Sequence, residues 1–249
     1  MHPILYSFGP INIYAWGFML SLAVIVSALG ARRMAAKAGI DPDHIINLAI
    51  LLVLSGLLGA RIFYAIFYEP GYFMAHPLDI FKFWEPGLVW YGGLIGGIIA
   101  GGLYVHFYHL PFWGLADVLA PWLALGYSIV RIGCFLNGCC YGKVTTVPWG
   151  VVFPQLDNLT RHPTQLYSAA VGFVLASILF WLYPRRKFAG QVFLTYLMAY
   201  GVLRSVVEYF RDNLTILGPI TVSQAISLVV ISLAGVIYYV LARQAKDLG

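Results

Sequence analysis

Seven stretches of this chain are apolar for long enough to cross a lipid bilayer, and that property decides the fold class. They run at about Asn12–Leu29, His44–Phe67, Leu88–Phe107, Trp113–Cys134, Gln165–Tyr183, Gln191–Val207 and Ile220–Ala242. A spanning helix needs roughly 20 predominantly apolar residues to cross hydrocarbon about 30 Å thick. In hydrocarbon the backbone must satisfy its own polar groups, which a helix does within one segment. Composition agrees: 61% of the 249 residues are hydrophobic and 10% are charged, against about 25% charged in a soluble domain. The expected fold is an all-α integral membrane protein, a single polytopic domain over residues 1–249, with about seven transmembrane helices.

The fourth run is interrupted by Pro121, which removes a backbone donor from any helix it joins. Met1–Pro10 contains no Lys or Arg and so lacks the positive region of a secretory signal peptide; the first helix is expected to stay in the mature protein. Two connections are long and irregular, Tyr68–Gly87 and Asn137–Thr164. The aromatics Tyr72, Phe73, Phe81, Phe83 and Trp84 suit a segment at head-group level.

The net charge is +5, without the basic run and interleaved aromatics of a nucleic-acid groove. The basic residues instead set orientation. Eight lie in odd-numbered connections and the C-terminus: Arg32, Arg33, Lys37, Arg185, Arg186, Lys187, Arg243 and Lys246. Four lie in even-numbered connections: Lys82, Lys143, Arg161 and Arg211. The richer side is expected to be cytoplasmic, with the N-terminus periplasmic and the C-terminus cytoplasmic.

The remaining three, Arg61, Arg131 and Arg204, fall late in the second, fourth and sixth runs. All three runs head outwards in this topology, so the arginines are expected at similar depth near the outer leaflet. One such arginine is explained by snorkelling, or by a carboxylate such as Glu208 one turn from Arg204. Three together point to an anion site, because a guanidinium holds phosphate bidentately and stays charged. In an outer leaflet the available anion is a phospholipid head group.

Other residues gather around these arginines. In Arg131-Ile-Gly-Cys-Phe-Leu-Asn137-Gly-Cys-Cys-Tyr-Gly142, the glycines end a helix and let backbone approach a ligand, and Asn137 offers donors and acceptors. Tyr200, Arg204 and Glu208 share one helical face at i, i+4 and i+8, a polar stripe that must face a cavity or other protein. Gly93, Gly97 and Gly101 form a small-residue stripe, expected to be a helix-packing face, with Tyr91 just before it. His162 is the loop histidine to watch, being the side-chain type that changes charge near neutrality. Cys134, Cys139 and Cys140 lie too close in sequence for a disulfide framework, and no histidine sits at zinc-finger spacing. Cys139 and Cys140 could pair with a neighbour outside the cytoplasm, or one could bind metal; no role is assigned to them, and neither a cofactor nor a metal is among the expectations.

The chain resembles the bacterial prolipoprotein diacylglyceryl transferase family nearly end to end. The resemblance is carried by Ser7-Phe-Gly-Pro-Ile-Asn-Ile-Tyr-Ala-Trp-Gly17, by Leu58-Gly-Ala-Arg61 to Tyr68, by Arg131 to Gly142, and by Arg161-His-Pro-Thr-Gln-Leu-Tyr167. Tyr200-Gly-Val-Leu-Arg204 followed by Val207-Glu-Tyr-Phe-Arg211 completes it. The resemblance implies an enzyme of the bacterial inner membrane, multi-pass, with its active site towards the periplasm. It implies transfer of the diacylglyceryl group of phosphatidylglycerol to the lipobox cysteine thiol of a prolipoprotein signal peptide, releasing glycerol phosphate. That is the first step of lipoprotein maturation. Its partners are membrane lipid and prolipoprotein signal peptides, not nucleic acid.

Carried over by position, Arg131 resembles the family's phosphatidylglycerol-binding arginine and Arg204 its second essential one. Asn137, Gly142, Tyr200 and Glu208 match family motif positions, and Arg61 and Trp16 join them as expected substrate-binding residues. There are departures. Tyr91 stands where the family often has a histidine regarded as the base. Cys134 stands for an asparagine, Cys139 for a glutamate, and Trp16 for a tyrosine. Tyr91, His162 or the phosphate itself therefore remain alternatives for taking the thiol proton. The expected catalytic set is Arg131, Arg204, Tyr91 and His162. A divergent homologue that binds lipid, or uses another acceptor, is the alternative function.

Overall fold

The computed structural model describes residues 3–9, 11–211, 215–217 and 220–247; Met1, His2 and Pro10 of the N-terminal stretch lie outside them. Among the described residues are seven helices of 18 or more residues. These are α1 (Ala15–Lys37), α2 (Pro42–Phe67), α4 (Trp90–Phe107), α5 (Phe112–Asn137), α6 (Thr164–Leu182), α7 (Gln191–Tyr209) and α8 (Val222–Asp247), with a short α3 (Pro70–Ala75) after α2. Five of them, α1, α2, α5, α6 and α8, are long and apolar enough to cross a membrane. The other two carry what lowers apolarity: α4 is rich in glycine, and α7 holds Arg204 and Glu208.

Lipid-facing chemistry is visible in the side chains. In α8 only 11% of the most apolar window is buried, and Leu228, Val229, Leu233 and Val236 are all exposed. In water such a surface would drive association; in lipid it is the ordinary exterior. Helix α5 continues through Pro121 to Asn137, because neighbouring helices support a helix where proline removes one hydrogen bond.

Among the described residues, three small antiparallel ladders decorate the helix ends: β1 (Ile4–Phe8) with β2 (Ile11–Tyr14), β3 (Val151–Val152) with β4 (Thr160–Arg161), and β5 (Thr215–Leu217) with β6 (Ile220–Thr221). The first moves a boundary. Asn12–Tyr14, expected to open the first helix, pair instead with Ile4, Tyr6 and Ser7, and the helix starts at Ala15. The Ser7 hydroxyl donates to Asn12 Oδ1 at 2.8 Å.

The chain forms two compact units, residues 32–112 and residues 1–31 with 113–249. In the first, α2 packs on α4 through glycine. A Cβ on Gly59 would lie 2.5 Å from the Gly92 carbonyl oxygen, and one on Gly96 would lie 2.6 Å from that of Ser55. The tight seam is therefore Gly92/Gly96, with Gly93 beside it. Gly97 and Gly101, expected in the seam, meet only the side chain of Leu52. Two glycine rows one residue apart run along α4, and the flat patch at Gly56 and Gly59 selects the row that lets the backbones touch.

In the second unit, Ala120, Ala124, Leu175, Ala176, Leu179 and Val192 form the packed centre of α5, α6 and α7. A buried carboxylate fixes the start of α7: Asp117 accepts the N–H groups of Gly190 (2.8 Å) and Phe193 (2.9 Å), with Arg186 at 3.7 Å. A carboxylate there answers both the orphan donors and the positive end of the helix.

Candidate active site

The unit formed by residues 1–31 and 113–249 brings Arg131 and Arg204 to one pair of tyrosines. Arg131 on α5 lies over the ring of Tyr127, its own i−4 neighbour, with Cζ 4.8 Å from the centroid. Tyr127 meets Tyr200 of α7 edge to face, centroids 5.3 Å apart. Tyr200 lies one turn before Arg204 on the same face. Tyr127, Tyr200 and Arg204 line a cleft together with Ser168 and Gly172 of α6. At about 10 Å³ it has room for about one water.

Arg204 is held from two sides. Its guanidinium pairs with Glu208, and Nη2 donates to Ser223 Oγ at 3.1 Å. Glu208 is buried, 2% exposed. A buried carboxylate at i+4 aims the guanidinium and offsets the cost of its burial.

Asn137 and Gly142 belong to the exit from α5, which closes as a Schellman motif. Gly138 takes a left-handed conformation (φ 72°) and its N–H donates to Phe135 O, while Cys139 N–H donates to Cys134 O. Gln155 Nε2 donates to the Asn137 carbonyl at 3.4 Å. Cys140 is also left-handed (φ 62°), which costs a side-chain-bearing residue about 1–2 kcal/mol. Two buried side chains pin the turn: Thr164 Oγ1 donates to Cys140 O (2.8 Å) and Gln165 Nε2 to Cys139 O (2.6 Å).

At Gly142 a Cβ would lie 2.5 Å from Phe210 O and 2.8 Å from His162 Cβ, so only glycine fits. Its N–H donates to the His162 carbonyl at 2.9 Å. The imidazole Nδ1 of His162 is 3.1 Å from the Tyr167 hydroxyl, which accepts from Trp149 Nε1 at 2.7 Å. Trp16 sits in the first turn of α1, where α1 approaches α5 at Gly133. A Cβ on Gly133 would be 2.8 Å from Met19 Cβ and 3.5 Å from Trp16 Cα.

The three cysteines are free thiols, and their sulfurs all lie within 4.8 Å of one another. The Cys139 thiol donates to the Cys134 carbonyl at 3.6 Å; the two neighbouring thiols and the charges of Arg131 and Arg211 hold the Cys140 thiol below the ordinary range.

Arg61 and Tyr91 belong to the unit of residues 32–112. Arg61 is buried, and its terminal nitrogens donate to backbone: Nη1 to Pro86 O (2.8 Å) and Gly87 O (3.3 Å), Nη2 to Asp79 O (3.2 Å), while Nε has no hydrogen-bond partner among the described residues. Glu85 lies 3.5 Å away, and the rings of Tyr64 and Phe73 flank the guanidinium. The adjoining pocket, about 200 Å³, is also lined by Glu69 and Glu85, whose carboxylates repel a phosphate. Tyr91 is half exposed in the first turn of α4, against Trp90.

Tyr127 and Ser223 are the partners sequence reasoning missed. Tyr127 had a signal, since it stands to Arg131 as Tyr200 stands to Arg204. Ser223 had none, being on another helix.

Residues 3–241 match the family described as prolipoprotein diacylglyceryl transferase. A phosphatidylglycerol–prolipoprotein diacylglyceryl transferase of Bordetella parapertussis is 39% identical over 221 residues, covering 87% of this chain and 84% of that protein. Its counterpart in Geobacter sulfurreducens is 37% identical over 232 residues, covering 90% and 89%. That of Legionella pneumophila is 36% identical over 217 residues, covering 85% and 84%.

Proposed function

The chain belongs to the prolipoprotein diacylglyceryl transferase family, and from that premise we propose that it moves the diacylglyceryl group of phosphatidylglycerol onto the lipobox cysteine of prolipoprotein signal peptides. The acceptor sulfur attacks the glyceryl carbon that carries the phosphate ester. The carbon–oxygen bond breaks, and glycerol phosphate leaves with the electron pair. The thiol proton goes to a base or to the departing phosphate. The enzyme is a multi-pass inner-membrane protein, with this site towards the periplasm; the excess of Lys and Arg in the connections on the other side supports that orientation.

The observation that carries the reading is the grouping of Arg131 and Arg204 on the Tyr127–Tyr200 pair. Charge grows on the phosphate as it leaves, and preorganised guanidinium donors stabilise it there more than in the ground state. Glu208 and Tyr200 position Arg204. Asn137 and Gly142 shape the turn beside Arg131, and Trp16 borders the approach of α1 to α5. His162, anchored by Tyr167, is the first choice of base, because a neutral imidazole accepts a proton and a neutral phenol does not; Tyr91 is the alternative. Arg61 enters as a positioning residue that orders residues 79–87.

The test is transfer of labelled diacylglycerol from phosphatidylglycerol to a lipobox peptide by the purified protein. Transfer that is lost in Arg131→Ala and Arg204→Ala supports the reading. Comparing His162→Ala with Tyr91→Phe identifies the base. A second reading, a divergent lipid-binding homologue, is favoured by Tyr91 and Cys139 at positions where the family has histidine and glutamate. Phosphatidylglycerol bound by a folded parent with no transfer would select it.

A further inference from the structure

We infer that Cys134, Cys139 and Cys140 form a three-thiolate site for a soft d10 cation, Zn²⁺ or Cu⁺. Their sulfurs lie within 4.8 Å of one another. Sulfurs bound about 2.3 Å from one ion sit about 3.8 Å apart in tetrahedral geometry, so rotamer adjustment of the thiols closes the set.

Ordinary helix termination accounts for part of this cluster and not for the rest. In a Schellman motif the residue after the left-handed glycine packs on the residue five before it. Here those residues are Cys139 and Cys134, joined by the Cys139 N–H to Cys134 carbonyl bond at 3.1 Å. Nothing in the motif turns a third thiol inward. Cys140 is brought round by its own left-handed conformation, with its carbonyl held by Thr164.

An odd set of thiols also suits a metal better than a disulfide, since one internal bond strands the third sulfur. Thiolate is the donor that selects Zn²⁺ and Cu⁺ among common cations. Loading Zn²⁺ displaces whatever protons the thiols still carry, and three bound thiolates leave a net charge of −1 on the site. Arg131, three residues before Cys134 on α5, and Arg211 supply compensating positive charge. Three thiolates satisfy trigonal Cu⁺, and they leave one position open on tetrahedral Zn²⁺ for water. Gln165 is 1% exposed, and its amide is hydrogen-bonded to the Cys139 carbonyl. Its Oε1 has no hydrogen-bond partner among the described residues, so it can accept from such a water.

The test uses the reduced full-length protein in detergent, titrated with Co²⁺ as the spectroscopic stand-in for Zn²⁺, and separately with Cu⁺ held by a chromophoric chelator. The expected result is one equivalent bound per chain by at least one of the two ions. It comes with either sulfur-to-cobalt charge-transfer absorption of three-thiolate intensity or removal of Cu⁺ from the chelator. All three thiols should be protected from alkylation. Cys140→Ser should weaken binding at least a hundredfold even though the Cys134–Cys139 contact remains. No charge-transfer band together with no Cu⁺ uptake by the parent overturns the site, a result that needs no variant to fold. Undiminished binding by Cys140→Ser overturns it equally.

Discussion

Each of the two compact units encloses an arginine in apolar surroundings, and they use the charge differently. Arg61, 2% exposed, has its terminal nitrogens bonded to the carbonyls of Asp79, Pro86 and Gly87 while its buried Nε has no hydrogen-bond partner among the described residues, with Glu85 and Glu69 around the adjoining pocket. Arg131 is half-buried and lies on the ring of Tyr127. An aromatic face attracts the cation without consuming its in-plane N–H groups. Arg204 is intermediate, aimed by Glu208 and Ser223 into the cleft that Tyr127 and Tyr200 line. An arginine within a membrane-spanning sequence therefore does not by itself mark an anion site. On the proposed reading, Arg61 orders a loop, and Arg131 and Arg204 meet the phosphate.

The sharpest way to break this contrast is Arg131→Ala. Transfer should fall about a thousandfold, ~4 kcal/mol in the barrier, while thermal unfolding in detergent moves little. The converse change, Arg61→Ala, removes charged hydrogen bonds from carbonyls whose positions depend on them. It should lower unfolding stability by about 3 kcal/mol and leave transfer per folded molecule within a few-fold of the parent. Gly59→Ala tests whether the unit around Arg61 is held by backbone approach. A Cβ there meets the Gly92 carbonyl oxygen at 2.5 Å, and the forced separation should cost about 2 kcal/mol in the same unfolding assay. The smallest expected effect is at Glu208→Gln. The amide keeps the shape and loses the charge that aims Arg204, and transfer per folded molecule should drop about tenfold, ~1.4 kcal/mol, while unfolding stability also falls because the Arg204 guanidinium loses its charge partner.

The helices were legible because lipid imposes a requirement that sequence displays directly. Every expected run contains most of a helix, and even Pro121 did not mislead once neighbouring helices are counted as support. Pairs within one helix were legible too: Tyr200, Arg204 and Glu208 share the face their spacing predicts, and Tyr127–Arg131 obeys the same rule. What was illegible depends on a second element. Helical spacing cannot choose between glycine rows offset by one residue, so Gly92/Gly96 had to be selected by Gly56 and Gly59 across the seam. The carbonyls that hold Arg61 come from residues 79–87, a stretch with no periodicity to read. Asp117 meets the start of α7 more than 70 residues later, and the cysteine cluster needed the turn at Gly138 and Cys140 before three nearby letters became one group of sulfurs.

The contrast between arginines is tested most directly by measuring phosphatidylglycerol affinity in nanodiscs of zwitterionic lipid for the parent, Arg131→Ala, Arg204→Ala and Arg61→Ala. The expected result is at least a tenfold loss of affinity in the Arg131 and Arg204 variants and near-parent affinity in the folded fraction of the Arg61 variant. Lost affinity in folded Arg61→Ala, with binding intact in Arg131→Ala and Arg204→Ala, would contradict the account and move the head-group site to the unit of residues 32–112.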